Sequence, residues 1–225
     1  MSRPSDIFER VSFEGEPRVH SNPFVAYLNS LHCRDSGGEN ALAEAQACNP
    51  LFNHIQVRNP LVDTIGDCLR GSEPRHIILT GHAGDGKSTI ALELYKDLCR
   101  LPFNQSLKQP MGRREDMAMS SGHLASVVKD LSEWGDDDRL ALLGEILKGG
   151  RRFLLVSNTG TLLNLFCEYG DQYLAKSKGE TESALLGAIS SEQCYDLNFG
   201  GCHFAVYNLA LLDNLSTARR MRISE

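Results

Sequence analysis

The chain has 225 residues, 41% of them hydrophobic, with 23 Lys and Arg against 29 Asp and Glu and a formal charge of −6. That composition excludes a disordered or membrane-embedded class, and its acidic balance argues against a globally basic nucleic-acid binder while leaving room for a local basic patch. The length suits one large domain, which can bury a core without disulfide or metal staples.

The seven cysteines form an odd set without a C-x-x-C pair, which reads as reduced thiols and not as a zinc ribbon or disulfide framework. The adjacent soft-ligand pairs are His32-Cys33 and Cys202-His203. The opening MSRPSDIFERVSFEGEP lacks the apolar stretch of a signal peptide, and no apolar run of about 18 residues follows. A cytoplasmic protein without a membrane partner is therefore expected.

Residues 1–50 mix Pro4, Pro17, Pro23, Gly15, Gly37 and Gly38 with short apolar clusters and read as a loop-rich, partly helical N-terminal arm, with a short helix at 41–48. A helix over Leu61 to Leu69 follows Pro60, places Leu61, Ile65 and Leu69 on one face, and ends at Gly71. His76 to Thr80 is a short apolar run bounded by Pro74 and Gly81, the pattern of a buried strand. From Gly86 to about Arg100, Ile90, Ala91, Leu94, Tyr95 and Leu98 recur at helical spacing, with Glu93, Lys96, Asp97 and Arg100 expected on the opposite, solvated side.

Residues 103–122 read as a long surface loop hiding one short edge strand. The pattern then predicts a strand at Leu124 to Lys129, a helix at Asp136 to Leu147, a strand at Phe153 to Ser157 and a helix at Thr161 to Tyr169. A polar helical segment runs to about Ile189, the last strand is His203 to Tyr207, and a helix covers Leu209 to Arg220. Strands alternating with helices at this spacing predict an α/β fold with a mainly parallel sheet flanked by helices.

Gly81-His82-Ala83-Gly84-Asp85-Gly86-Lys87-Ser88 matches G-x-x-x-x-G-K-[ST] in full and lies between a predicted buried strand and an amphipathic helix, the context its mechanism requires. The glycines let successive amides turn toward phosphate oxygens. Lys87 can reach the β- and γ-phosphates, Ser88 can ligate Mg²⁺, Thr89 offers a further phosphate contact, and the helix adds its positive end.

Hydrolysis needs a carboxylate on the metal side and an oriented water. The carboxylate is expected at the end of a strand beside the first, and Asp130 is the best candidate, with Glu133 three positions on. Lys129 interrupts the apolar run, and no Glu follows Asp130 directly. The competing reading makes Asp130 an N-cap and Glu133 its capping-box partner. Asn158, after the Phe153 to Ser157 strand, either positions the attacking water or caps the following helix.

The Gly81 to Thr89 string, with the order strand, loop, helix, carboxylate strand and polar-ended strand, resembles the AAA+ and STAND-like branch of P-loop ATPases. It is similar to bacterial anti-phage and DNA phosphorothioation-dependent restriction ATPases. The resemblance spans about residues 50 to 215 and implies a three-layer P-loop NTPase core at 51–225 without a complete C-terminal lid. It further implies ATP and Mg²⁺ as ligands, Asn158 as the sensor residue, and protein partners or a homo-oligomer.

A small-molecule or nucleotide kinase, with Arg113 and Arg114 in a lid, and a scaffold of little turnover remain alternatives. A GTPase is disfavoured because no convincing [NT]KxD segment occurs. Arg151-Arg152 and the tail arginines 219, 220 and 222 are the basic groupings, and nucleic-acid binding is open.

Overall fold

A computed structural model describes residues 22–30, 47–119 and 121–212. Its elements in chain order are α1 (Pro23–Ser30), a 3₁₀ turn (Pro50–His54), α2 (Leu61–Arg70), β1 (Arg75–Thr80), α3 (Lys87–Leu98), β2 (Arg114–Ala118) and β3 (Leu124–Val128). A second 3₁₀ turn (Leu131–Glu133), α4 (Asp136–Lys148), β4 (Arg152–Val156), α5 (Thr159–Tyr173), α6 (Lys178–Ile189), β5 (Tyr195–Phe199) and β6 (Cys202–Asn208) complete it.

The six strands form one mixed sheet in the order β2-β3-β4-β1-β6-β5. Its four central strands are parallel, and β2 and β5 run antiparallel at the two edges. Strand periodicity sends alternate residues to opposite faces. Ile77 and Leu79 accordingly pack with Ile90, Ala91 and Leu94 of α3 and with Ile65 and Leu69 of α2. Ile78 joins Leu143 of α4, Leu162 and Phe166 of α5 and Leu185 of α6 on the other face. All three β1 side chains are fully buried, as a central parallel strand covered on both sides requires.

The described part of the arm belongs to the first of these faces: Tyr27 and Ala47, with Phe52 just after it, are buried in the cluster that holds α2 and α3. The expected helix at 41–48, apart from its last two residues, and the expected helix beyond Leu212 with its arginines lie outside the described residues.

Two expectations need correction. The polar side of α3 is only partly solvated, since Arg100 is exposed and Asp97 half-buried but Glu93 is 3% and Lys96 1% exposed. The segment before α2 and the loop after α3 cover it: the Asn59 amide donates to Glu93 Oε2 at 3.1 Å, and Lys96 Nζ donates to the Phe103 carbonyl at 3.1 Å. Burial pushes the Glu93 carboxyl above its ordinary range and the Lys96 ammonium below it. Secondly, a strand absent from the sequence reading, β5, pairs with β6 through the two-residue turn Gly200-Gly201, whose φ values of +58° and +82° suit a tight hairpin. The edge strand hidden in 103–122 is β2.

Among the described residues no helix is long and apolar enough to cross a membrane.

Candidate functional site

Strands β1 and β4 are adjacent and parallel, yet the helices that follow them leave for opposite faces, α3 to the α2 side and α5 to the α4 side. Such a divergence opens a crevice at the carboxyl ends of the two strands, where open α/β sheets characteristically bind ligands. The Gly81 to Gly86 loop lies at this crevice. At its base the Thr80 and Thr159 hydroxyls are 3.3 Å apart, tying the last residue of β1 to the first of α5.

The loop turns by left-handed glycine geometry, with φ of +144° at Gly81, +89° at Gly84 and +83° at Gly86. Gly86 is the N-cap of α3, and no side chain caps that helix, which has no acidic residue in its first turn. Its first intrahelical bond runs from the Ile90 amide to the Gly86 carbonyl at 2.9 Å, so the Lys87, Ser88 and Thr89 amides are left without helical acceptors. By contrast, α5 and α6 are capped by the side chains of Asn158 and Ser177.

Lys87 Nζ donates to the carbonyls of Gly81 at 3.1 Å and His82 at 2.5 Å, folding the lysine back over the loop. The His82 amide donates to Asp85 Oδ2 at 2.5 Å. His82, Ala83 and Gly84 are exposed, whereas Asp85, Gly86, Lys87, Ser88 and Thr89 are half-buried. Chemically, this is a nest of unpaired N–H donors with a cation alongside, fitted to an oxyanion.

Asp130 follows the carboxyl end of β3, but β4 intervenes between β3 and β1. The expected adjacency is therefore corrected: the strands beside β1 are β6 and β4, and it is β4, ending two residues before Asn158, that lies on the Asp130 side. Two interstrand spacings put the β3 and β1 backbones about 10 Å apart. Asp130 adopts φ +25° and caps the 3₁₀ turn, its Oδ1 accepting from the Ser132 amide at 3.0 Å and the Ser132 hydroxyl at 2.5 Å. Glu133 is exposed and forms no capping box, because the cap bond goes to Ser132. Asn158 is exposed, and its Oδ1 accepts from the Thr161 amide at 2.8 Å as the N-cap of α5.

Further residues at this edge were not singled out in the sequence. Arg139 of α4 donates through Nε to the Leu131 carbonyl at 2.7 Å and through Nη2 to that of Ser132 at 3.0 Å, holding the turn that carries Asp130. Asn208 ends β6 opposite Thr80, donates to the Ile189 carbonyl at 2.8 Å and accepts from the Ala210 amide at 3.1 Å. Thr80, directly before the glycine loop, carried the one available signal. Arg114, considered for a lid, instead lies in β2, bidentate to Glu145 with both bonds at 2.6 Å.

Among the described residues no group of three or more His, Cys, Asp and Glu side chains is placed to hold a metal ion. No protein-family model matches the sequence, and no curated protein or solved structure matches the chain. Fold and site together define an α/β protein with a six-stranded mixed sheet flanked by helices and a glycine loop at the carboxyl edge of β1.

Proposed function

We propose that the chain binds ATP through Gly81 to Thr89 and acts as a Mg²⁺-dependent ATPase, a switch or motor subunit of a larger assembly. The observation that carries this reading is the uncapped N-terminus of α3, entered through the positive-φ glycine loop with Lys87 beside it, at the crevice between β1 and β4. On binding, Lys87 exchanges its two loop carbonyls for phosphate oxygens, and the free first-turn amides receive the same anion.

Ser88 and Asp130 would hold Mg²⁺, which neutralises charge on the transferred phosphoryl group when bound. Asp130 Oδ1 is occupied by its cap, which leaves Oδ2 for the metal side. Given the roughly 10 Å between the strands, the contact suits a hydrated Mg²⁺, an ion that usually keeps several waters. The chain order β1, glycine loop, α3, β3 with Asp130 after it and β4 with Asn158 after it supports the resemblance to AAA+ and STAND-like ATPases.

The test is ATP binding by the full chain and by Lys87→Ala, followed by phosphate release without an acceptor. Unchanged affinity in Lys87→Ala would remove the reading altogether. Transfer of γ-phosphate to a metabolite would favour a kinase instead. One observation favours a scaffold of little turnover: Asp130 and Asn158 both spend a side-chain oxygen on capping. In that case binding depends on Lys87 while phosphate release stays at background.

A further inference from the structure

The opposite edge of the sheet, where the central strands begin, holds a second cleft of about 460 Å³. The six-residue strand β1 separates it from the glycine loop by roughly 20 Å. Its volume falls within the usual range of small-molecule sites, about 300 to 1,000 Å³. Arg151, Arg152, His76, His123 and His203 line it, and no Asp or Glu does.

Arg152 is the central group. It is 5% exposed, and its Nη1 donates to the carbonyls of Leu69 and Gly71, the latter at 2.6 Å, at the end of α2. Helix carbonyls at a C-terminus favour a cation but do not neutralise it. Among the described residues Arg152 has no carboxylate partner and its other N–H groups have no acceptor. Its neighbour Arg151 differs, being paired with Asp116 at 2.6 Å and bonded to Ser126 Oγ at 2.9 Å.

A buried cation lacking a counter-charge is expensive to keep, and charges in protein interiors are ordinarily paired. His76 cannot supply the partner. It is 5% exposed, its Nδ1 is buried without a hydrogen bond, and burial, reinforced by the Arg152 charge, lowers its pKa to about 4, so the ring is neutral at pH 7. The turns at Gly149-Gly150 and Gly201 bring side-chain-free backbone to the same cleft, where a ligand can approach closely.

We propose that this cleft binds the oxyanion of a small metabolite, a phosphate or carboxylate group, with Arg152 as its charged anchor. The bound group supplies the missing counter-charge through the guanidinium N–H groups that α2 leaves unused, while the rim is formed by His123, by His203, whose Nδ1 is 3.6 Å from Asp196, and by Arg151, already paired with Asp116. The site is independent of the glycine loop.

Two-dimensional amide NMR of the full chain carrying Lys87→Ala, which disables the loop as a competing anion site, is titrated with inorganic phosphate and, separately, with succinate. Saturable shifts of the Gly149, Gly150 and Gly201 amides are expected at millimolar probe. Phosphate alone producing them identifies a phosphorylated ligand, succinate alone a carboxylic one, and both the shared oxyanion chemistry. Leu124 is 44% exposed at the cleft, so Leu124→Glu installs a carboxylate there without disturbing the core. It should weaken binding at least about tenfold by like-charge repulsion, with Leu124→Gln as the neutral control. Shifts from neither probe, or undiminished affinity in Leu124→Glu, would overturn the proposal and leave the nucleotide reading untouched.

Discussion

The carboxylate of Asp85 accepts the His82 amide proton at 2.5 Å, and the same Oδ2 lies 2.6 Å from where a β-carbon on Gly81 would stand. The clasp across the loop and the absence of a side chain at its first position are thus one arrangement. Gly81→Ala must relieve both a φ of +144° and contacts with Asp85 Oδ2 and the Ala210 amide nitrogen at 3.2 Å. Gly84 has φ +89° but nothing within 4 Å of its added carbon. The expected losses are about 3 kcal/mol for Gly81→Ala and about 1 kcal/mol for Gly84→Ala. Denaturant midpoints decide the matter, and equal losses would contradict the role given to Asp85.

The clasp also holds the loop in shape before any ligand arrives. Asp85→Asn keeps an oxygen acceptor for the His82 amide, whereas Asp85→Ala does not. For a bond at a partly exposed site the expected cost is about 1 kcal/mol, or about fivefold in ATP affinity, for the alanine variant. The asparagine variant should bind as tightly as the parent or better, because it removes a negative charge beside the phosphates. Calorimetric titration would show equal affinities for the two variants if the bond to the His82 amide played no part.

What the sequence disclosed depended on how local the controlling physics was. The loop was legible because its spacing encodes backbone geometry within eight residues, and β1 because a doubly covered parallel strand must be apolar throughout. Strand order was not, since it depends on crossovers between distant segments, and so Asp130 was expected one strand too close to β1. The burial of Glu93 and Lys96 came from chain before α2 and after α3, which helical periodicity cannot register. In β5, Leu197 and Phe199 are buried while Tyr195, Asp196 and Asn198 are exposed, so the alternation was present but short. The cleft around Arg152 draws on four separated segments and has no motif at all.

Asn158 has an observed structural duty, and a functional one can be separated from it. Serine caps nearly as well as asparagine, while alanine does not cap. Asn158→Ala should lose about 1 kcal/mol of stability, and Asn158→Ser only a few tenths. If the amide also orients the attacking water, Asn158→Ser lowers ATP turnover about tenfold or more while the fold is preserved. Parallel measurements of unfolding and phosphate release separate the two, and unchanged release in a hydrolysing parent would confine Asn158 to capping.

Asp130→Asn applies the same logic to the other cap. The carboxamide oxygen still accepts from Ser132, so stability should change by less than about 1 kcal/mol. The lost charge should raise the Mg²⁺ concentration needed for half-maximal turnover by about tenfold. A normal rate with a normal Mg²⁺ dependence would remove Asp130 from the mechanism while sparing nucleotide binding.

His76 gives the fold an acid sensitivity whose direction follows from its surroundings. Its rings neighbours are Phe153 and Phe204, with centroids 5.8 Å and 5.1 Å away, and burial lowers its pKa from 6.5 to about 4. Between those values the unfolded chain holds a proton that the folded chain does not, so stability is full above pH 6.5 and falls as the solution is acidified toward pH 4. From pH 7 to pH 5 this group should cost about 2 kcal/mol, approaching about 3 kcal/mol at pH 4. Glu93, with its raised pKa, acts in the opposite sense, so the measurement is a difference between two chains. His76→Phe keeps the aromatic packing and removes the titration. The stability gap between variant and parent should widen in favour of the variant by about 2 kcal/mol between pH 7 and pH 5. A constant gap would mean that His76 takes up its proton at the same pH in the folded and unfolded chains, contrary to the effect of its burial beside Arg152.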